Sequence, residues 1–216
     1  MKYIVMCGGT YGNWNEPKQL LKICGEPLVA RTIRLLRENG VDDIAISSCD
    51  DRFEAFGVPV LVHDNEYRSS FRNESSNGGS WAEAFYPMDD PACYLMGDVV
   101  YSPGAVRKIV ETETDGIRFF ASSPPFHPLY IKSYAEPFCF KVADQKRFRD
   151  AVDFTIANEN SGLFFRRPIA WELWQVITGG ELNAIDFNNI DVINDYTCDI
   201  DAPEEIQRIE EALERR

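Results

Sequence analysis

Lys18 and a small number of carboxylates are the residues of this chain best suited to chemistry. Lys18 follows the rigid Pro17 and the glycines Gly8, Gly9 and Gly12, which come directly after the apolar, β-forming run Tyr3 to Cys7. Glycine at a strand end lets backbone N–H groups approach an anion closely, and a neighbouring ammonium adds a fixed positive charge. The simplest ligand for that combination is a chain of phosphates. Asp98 stands in a second such position, after Gly97 at the end of the apolar run Ala92 to Met96. A carboxylate at the carboxyl end of a strand faces the ligand edge of an open α/β sheet, and magnesium is typically held by one or two carboxylates together with substrate phosphates. Taken alone, a strand-end aspartate as readily caps the next turn. From these residues alone the cap and the metal both stay open.

The elements that must position these residues read as alternating strands and helices. From Leu28 to Glu38 the apolar Val29, Ile33 and Leu36 recur on one side and Arg31, Arg34 and Arg37 on the other, an amphipathic helix closed by Asn39-Gly40. Strands are expected at Asp43 to Ser48, around Gly57 to His63, at Ala92 to Met96 and at Gly116 to Ala121, with a helix from Pro103 to about Glu113. Asp144 to about Ala157 and a stretch carrying Trp171, Trp174 and Ile177 read as further helices, the tryptophans as packing residues. The fold class is α/β: one domain over residues 1–216, a mixed and mostly parallel sheet flanked by helices.

Three stretches break the pattern. The polar segment 63–79 is long for a loop within a compact domain, which usually signals function, and Ser80 to Phe85 reads as the start of a helix whose N-terminus could meet an anion or a base edge. Residues 122–134 carry Pro124, Pro125 and Pro128 among aromatics, an irregular excursion leading into a strand with Glu136 at its start and Lys141 inside. Near the end, Asp199 and Asp201 precede a terminal helix, for which Asp201 with Glu204 reads as a capping box. His63 and His127 lack partners in sequence and carry no catalytic role.

Composition narrows the partners. With 35 acidic against 22 basic residues and a formal charge of −13, attraction to nucleic-acid backbones or anionic membranes is not expected. An anionic substrate must instead be drawn by local cations and a metal. The six cysteines show no C-x-x-C pair and read as reduced core residues. Neither a leader pattern nor a membrane-length apolar run is present, so a cytoplasmic location is expected. Homo-oligomerisation stays open.

A strand entering a glycine loop, then Pro17-Lys18, an apolar pair and Gly25-Glu-Pro-Leu28 resembles the signature of the nucleotidyltransferases that activate sugars, polyols and choline phosphate, the MobA-like NTP transferases. The chain departs from that signature in having Asn13 or Trp14 where an arginine is expected. The resemblance implies a Rossmann-like fold of the nucleotide-diphospho-sugar transferase type. It implies a nucleoside triphosphate held by Met6, Cys7, Gly8, Gly9, Thr10 and Gly12, with Asn77, Gly79 and Ser80 of the N-x-x-S-W stretch at the base. Lys18 and Asp98 would be catalytic, and Mg2+ would sit on Asp98 with Asp201, favoured over Asp199, from a D-I-D motif similar to the family's closing one. Glu136 and Lys141 would bind the acceptor, with residues 122–142 and 160–180 as acceptor-side elements. The implied reaction joins a nucleotidyl group, from CTP or UTP, to a small phosphorylated acceptor such as a sugar phosphate or choline phosphate. Two other classes remain in view: a metal-dependent glycosyltransferase of similar fold, and a non-catalytic nucleotide-binding relative.

Overall fold

The computed structural model describes residues 1–8, 16–63 and 80–214. Gly9, Thr10, Gly12, Asn13, Trp14, Asn77, Gly79 and the expected loop from residue 64 onward lie outside the described residues. In chain order the elements are β1 (Lys2–Met6), β2 (Lys22–Ile23), β3 (Glu26–Pro27), α1 (Leu28–Glu38), β4 (Ile44–Ser47) and β5 (Val60–Leu61). They continue with β6 (Ala92–Met96), β7 (Val99–Val100), α2 (Pro103–Glu111), β8 (Ile117–Ala121), β9 (Pro137–Val142), α3 (Gln145–Asn158), α4 (Ala170–Thr178), β10 (Asp191–Val192), β11 (Cys198–Asp199) and α5 (Glu205–Glu214).

Among the described residues the main sheet has seven strands in the order β10-β8-β9-β6-β1-β4-β5. Strands β1, β4, β5 and β6 run parallel, as do β8 and β10, while β9 is antiparallel to both of its neighbours. The expected mixed, mostly parallel sheet is therefore present. Burial explains which strands are central: every residue of β6, and Tyr3 to Met6 of β1, is buried, as a strand covered on both faces requires. Helix α1 buries Leu28, Val29, Ile33, Leu35 and Leu36, while Arg34 points outward to Glu26 and Glu38.

The chain goes from β1 to β4 and β5 on one side and then returns with β6 on the other side of β1. That reversal opens a crevice beyond the carboxyl ends of β1 and β6, where open α/β sheets bind their ligands. Met6 lies opposite Met96 in register, so Gly8 and Asp98 follow from adjacent strand ends. Gly97 makes the close approach possible. Its N–H donates to the Met6 carbonyl at 3.1 Å, and a methyl group at its Cα would stand 2.2 Å from that same oxygen. The obstacle is backbone, which cannot swing aside.

The Gly97→Ala variant is expected to lose about 1–3 kcal/mol, the usual penalty of overpacking. For a chain of this size that lowers Tm by roughly 3–10 °C. Thermal unfolding followed by circular dichroism checks this; an unchanged Tm would show that the two strand ends can separate freely.

Candidate active site

Lys18 is carried on a single 3-10 turn that Pro17 opens, with the Leu20 N–H on the Pro17 carbonyl at 2.9 Å and the Leu21 N–H on the Lys18 carbonyl at 3.1 Å. The next residue, Gln19, is buried against Gly97 and fixes the turn over the end of β6. Strands β2 and β3 follow as a hairpin whose turn residues Cys24 and Gly25 both take positive φ, 50° and 80°. Two such residues in sequence are what the two-residue hairpin turns demand. The Cys24 N–H donates to Glu210 of α5 at 2.7 Å, so the last helix braces the hairpin behind Lys18.

The terminal segment is brought to Asp98 by a second, two-stranded sheet. Strand β11 pairs antiparallel with β7, Asp199 opposite Val99, and the Ile200 N–H donates to the Asp98 carbonyl at 3.0 Å. Asp195 and Thr197 clasp the segment to the start of α2: Asp195 accepts from the Ser102 hydroxyl and from the Thr197 N–H, and the Thr197 hydroxyl accepts from the Ser102 N–H at 3.0 Å. As a result the Lys18 ammonium lies 3.5 Å from Asp98 and 3.6 Å from Asp201. Residues separated by most of the chain thus share one crevice.

Lys132 is a residue that sequence reasoning missed. Its side chain is 3% exposed, and its ammonium lies 2.7 Å from Glu205, 2.9 Å from Asp201, 3.1 Å from Asp199 and 3.5 Å from Glu136. Burial alone would lower its pKa, but Asp199, Glu205 and Asp201 outweigh burial and hold it above its ordinary range. Asp201 responds in the opposite sense: burial would raise its carboxyl, and hydrogen bonding to Lys132 with the charge beside it keeps it low. Asp98, with about a third of its side chain open to the crevice but its surroundings mostly protein, is pushed up by burial against the pull of Lys18. Glu136 is held by the Tyr130 hydroxyl at 2.7 Å, itself fixed by Ser122 and the Tyr134 carbonyl.

The crevice encloses about 680 Å³. Met6, Gly8, Gly97 and Asp98 form its floor, and Trp81, Phe126, Tyr134, Trp171 and Phe187 are among its walls. Trp171, expected as packing, is buried yet presents a face here, whereas Trp174 is a core residue against Phe119. Arg166, from the stretch before α4, also reaches the crevice; its Nε donates to Glu172 at 2.7 Å. Glu136, Asp199 and Asp201 each offer one oxygen within 4.8 Å of the others. The buried Glu136 Oε1 and Asp199 Oδ1 face the Lys132 ammonium at 3.5 and 3.1 Å. An all-carboxylate donor set is of the kind that fits a hard divalent cation such as magnesium.

Several expectations are corrected. Lys141 is not at the crevice: it lies opposite Cys93, towards the far end of β6, and its ammonium donates to the Ile109 and Val110 carbonyls at 2.8 and 2.9 Å. There it satisfies carbonyls at the carboxyl end of α2. Asp201 does not cap α5, since its carboxylate is engaged by Lys132 and Tyr134; Glu205, not Glu204, reaches back to accept from the Asp201 N–H at 2.7 Å. Ser80 precedes only the short 3-10 turn Trp81–Ala84, so no long helix presents its N-terminus there. Its hydroxyl is buried without a hydrogen-bond partner among the described residues. Cys7, Cys93, Cys139 and Cys198 are buried as expected, but Cys24 and Cys49 are exposed. His127 accepts from the Leu129 N–H within its own turn.

Comparisons with known proteins agree with this architecture. The model of the MobA-like NTP transferase domain matches residues 3–154. No curated protein sequence matches the chain. A crystal structure of a candidate glucose-1-phosphate thymidylyltransferase from Bacillus anthracis, in complex with sucrose, superposes with a TM-score of 0.60 at 16% identity, covering 98% of this chain and 94% of that one. At that identity the likeness is one of fold.

Burial first, and then the neighbouring Asp199 carboxylate, push the Glu136 carboxyl from 4.5 up to about 10. The folded protein therefore keeps a proton that the unfolded chain releases, and stability falls as pH rises through that window. With divalent ions removed by EDTA, the Tm of the Glu136→Gln variant is expected to vary less than that of the wild type between about pH 5 and pH 9. Parallel Tm–pH curves for the two proteins would contradict a proton held at Glu136.

Proposed function

Because the chain belongs to the MobA-like NTP transferase domain family, we propose that it is a magnesium-dependent nucleotidyltransferase. It transfers an NMP group from a nucleoside triphosphate, CTP or UTP favoured, to a small phosphorylated acceptor such as a sugar phosphate or choline phosphate, releasing pyrophosphate. The observation that supports this best is the convergence of Lys18 on Asp98 and Asp201, at 3.5 and 3.6 Å, beyond the ends of β1 and β6.

In the proposed reaction an oxygen of the acceptor phosphate attacks the α-phosphorus of the triphosphate in line. A new P–O bond forms as the bond to the bridging α–β oxygen breaks, and both electrons of that bond leave with pyrophosphate. A phosphomonoester dianion is already a competent nucleophile, so positioning and charge neutralisation carry the rate and no general base is required. Lys18 offsets negative charge on the phosphates as it moves towards the leaving group, while Gly8 lets the chain approach them closely. Asp98 and Asp201 would hold magnesium, which when bound neutralises phosphate oxygens as a Lewis acid. The aromatic walls at Trp81, Phe126, Tyr134, Trp171 and Phe187 keep water from competing with the acceptor.

Charge supports the need for a divalent ion. The carboxylates of Asp98, Asp199, Asp201 and Glu205 outnumber the ammonium groups of Lys18 and Lys132 within the site, with Glu136 protonated beside them. A triphosphate enters such a crevice only with cations of its own. With Lys141 at the far end of β9, Arg166 takes over as the partner of the acceptor phosphate: its Nε is engaged by Glu172, which leaves the fork of the guanidinium for a bidentate contact.

Lys18→Met and Asp98→Asn are each expected to lower pyrophosphate release by about 10²–10³-fold, the loss that follows removal of one charge-stabilising group, with the circular dichroism spectrum unchanged. A pyrophosphate-release screen of the four triphosphates against phosphorylated sugars, polyols and amino alcohols, with magnesium, provides the assay; normal turnover in both variants would end the proposal. Arg166→Ala should raise KM for the acceptor about tenfold or more while KM for the triphosphate stays put.

A further inference from the structure

Lys132 makes more charge contacts than a stabilising ion pair calls for. Its ammonium is buried among Glu136, Asp199, Asp201 and Glu205, all within 3.5 Å. One positive charge cannot neutralise Asp199, Asp201 and Glu205 together, and apolar side chains in place of the whole buried set would spare its desolvation. Stability alone therefore does not account for the arrangement. Three of the same carboxylates, Glu136, Asp199 and Asp201, are the ones whose oxygens lie close enough together to hold a metal ion. The ammonium of Lys132 stands among those three groups. It arrives on the 122–135 excursion, a segment tied independently to the terminal segment and α5, through Asn194 to the Pro125 carbonyl at 2.6 Å and Arg208 to the Ile131 carbonyl at 3.0 Å. The position of the cation is thus part of the fold.

We propose that Lys132 is a built-in substitute for a second divalent cation: its ammonium fills the Glu136–Asp199–Asp201 cluster and restricts the site to a single metal ion, taken by Asp98 with the Asp201 oxygen that faces Lys18. This rests on the magnesium-dependent reading above. The two oxygens of Asp201 are divided accordingly, Oδ2 being held by Lys132 and by the Tyr134 hydroxyl at 3.0 Å, while Oδ1 faces Lys18. Lys132 acts through these carboxylates and is a positioning residue. It sets how many ions the site accepts, and it keeps one positive charge beside the phosphates whatever the metal concentration.

Binding of Mn2+ alone, counted by isothermal titration and by the loss of the free-ion electron paramagnetic resonance signal, tests the idea on the full chain. Lys132→Met is expected to bind one more Mn2+ per chain than the wild type, and Lys132→Arg, which keeps a cation in place, the same number as the wild type. A purely structural role predicts no added ion, so equal stoichiometry in Lys132→Met and the wild type overturns the proposal. Should the methionine variant fail to fold, Lys132→Gln carries the same expectation. Anomalous diffraction from wild-type crystals soaked in Mn2+ gives a measurement free of any variant. A peak among Glu136, Asp199 and Asp201 with Lys132 displaced overturns the proposal, and a peak confined to Asp98 and Asp201 supports it. The magnesium reading is judged separately, by whether Asp98→Asn abolishes wild-type Mn2+ uptake.

Discussion

Mutual repulsion among carboxylates is the constraint around which this molecule is arranged. Two unit charges about 4 Å apart interact by roughly 4 kcal/mol at the effective dielectric of a partly buried site. The crevice gathers Asp98, Asp199, Asp201, Glu136 and Glu205 around two ammonium groups. Such a cluster persists only because backbone hydrogen bonds and buried apolar packing fix each carboxylate in place. The pairing of β7 with β11, the Ser102–Asp195–Thr197 clasp and the Tyr130 hydroxyl on Glu136 do that work. What remains is an acidic recess with an unmet demand for positive charge, which suits a polyphosphate arriving with its counter-ions better than a bare anion.

The topology gives the same result from a different direction. The sheet reverses its strand order at β1, so the ends of β1 and β6 lie side by side at the mouth of the crevice. Lys18 approaches over that gap from the turn before β2, the 122–135 excursion covers one flank, and the terminal segment closes the other. Each of these is irregular or very short in secondary structure. Precision comes from the rigid elements they are fastened to, chiefly the fully buried β6 and the start of α2.

How much of this was legible in the sequence follows from what local patterns can encode. The bounds of β6 and α1 could be read almost to the residue, because an unbroken apolar run and a 3.6-residue period are local signals. Asp98 could be placed for the same reason, one glycine after such a run, whereas Lys18 stood out by the glycines and the proline before it. Lys141 was misplaced because alternation along a strand says which face a side chain takes and not which end of the sheet it reaches. Its antiparallel partner β6 puts it at the edge away from Asp98. Lys132 and Arg166 were invisible, since each lies in an aperiodic stretch whose path is decided by distant contacts. The capping box was assigned one residue early: Glu204 and Glu205 are indistinguishable until the start of α5 is known, and the carboxylate of Asp201 was credited with a role that Glu205 fills.

The contact between Cys24 in the β2–β3 turn and Glu210 in the closing helix also has a mechanical meaning. The hairpin that follows Lys18 is braced from behind by a helix distant in sequence, so whatever loosens that helix also loosens the mount of the ammonium. Fraying at one edge of the molecule is thereby passed on to the crevice at another.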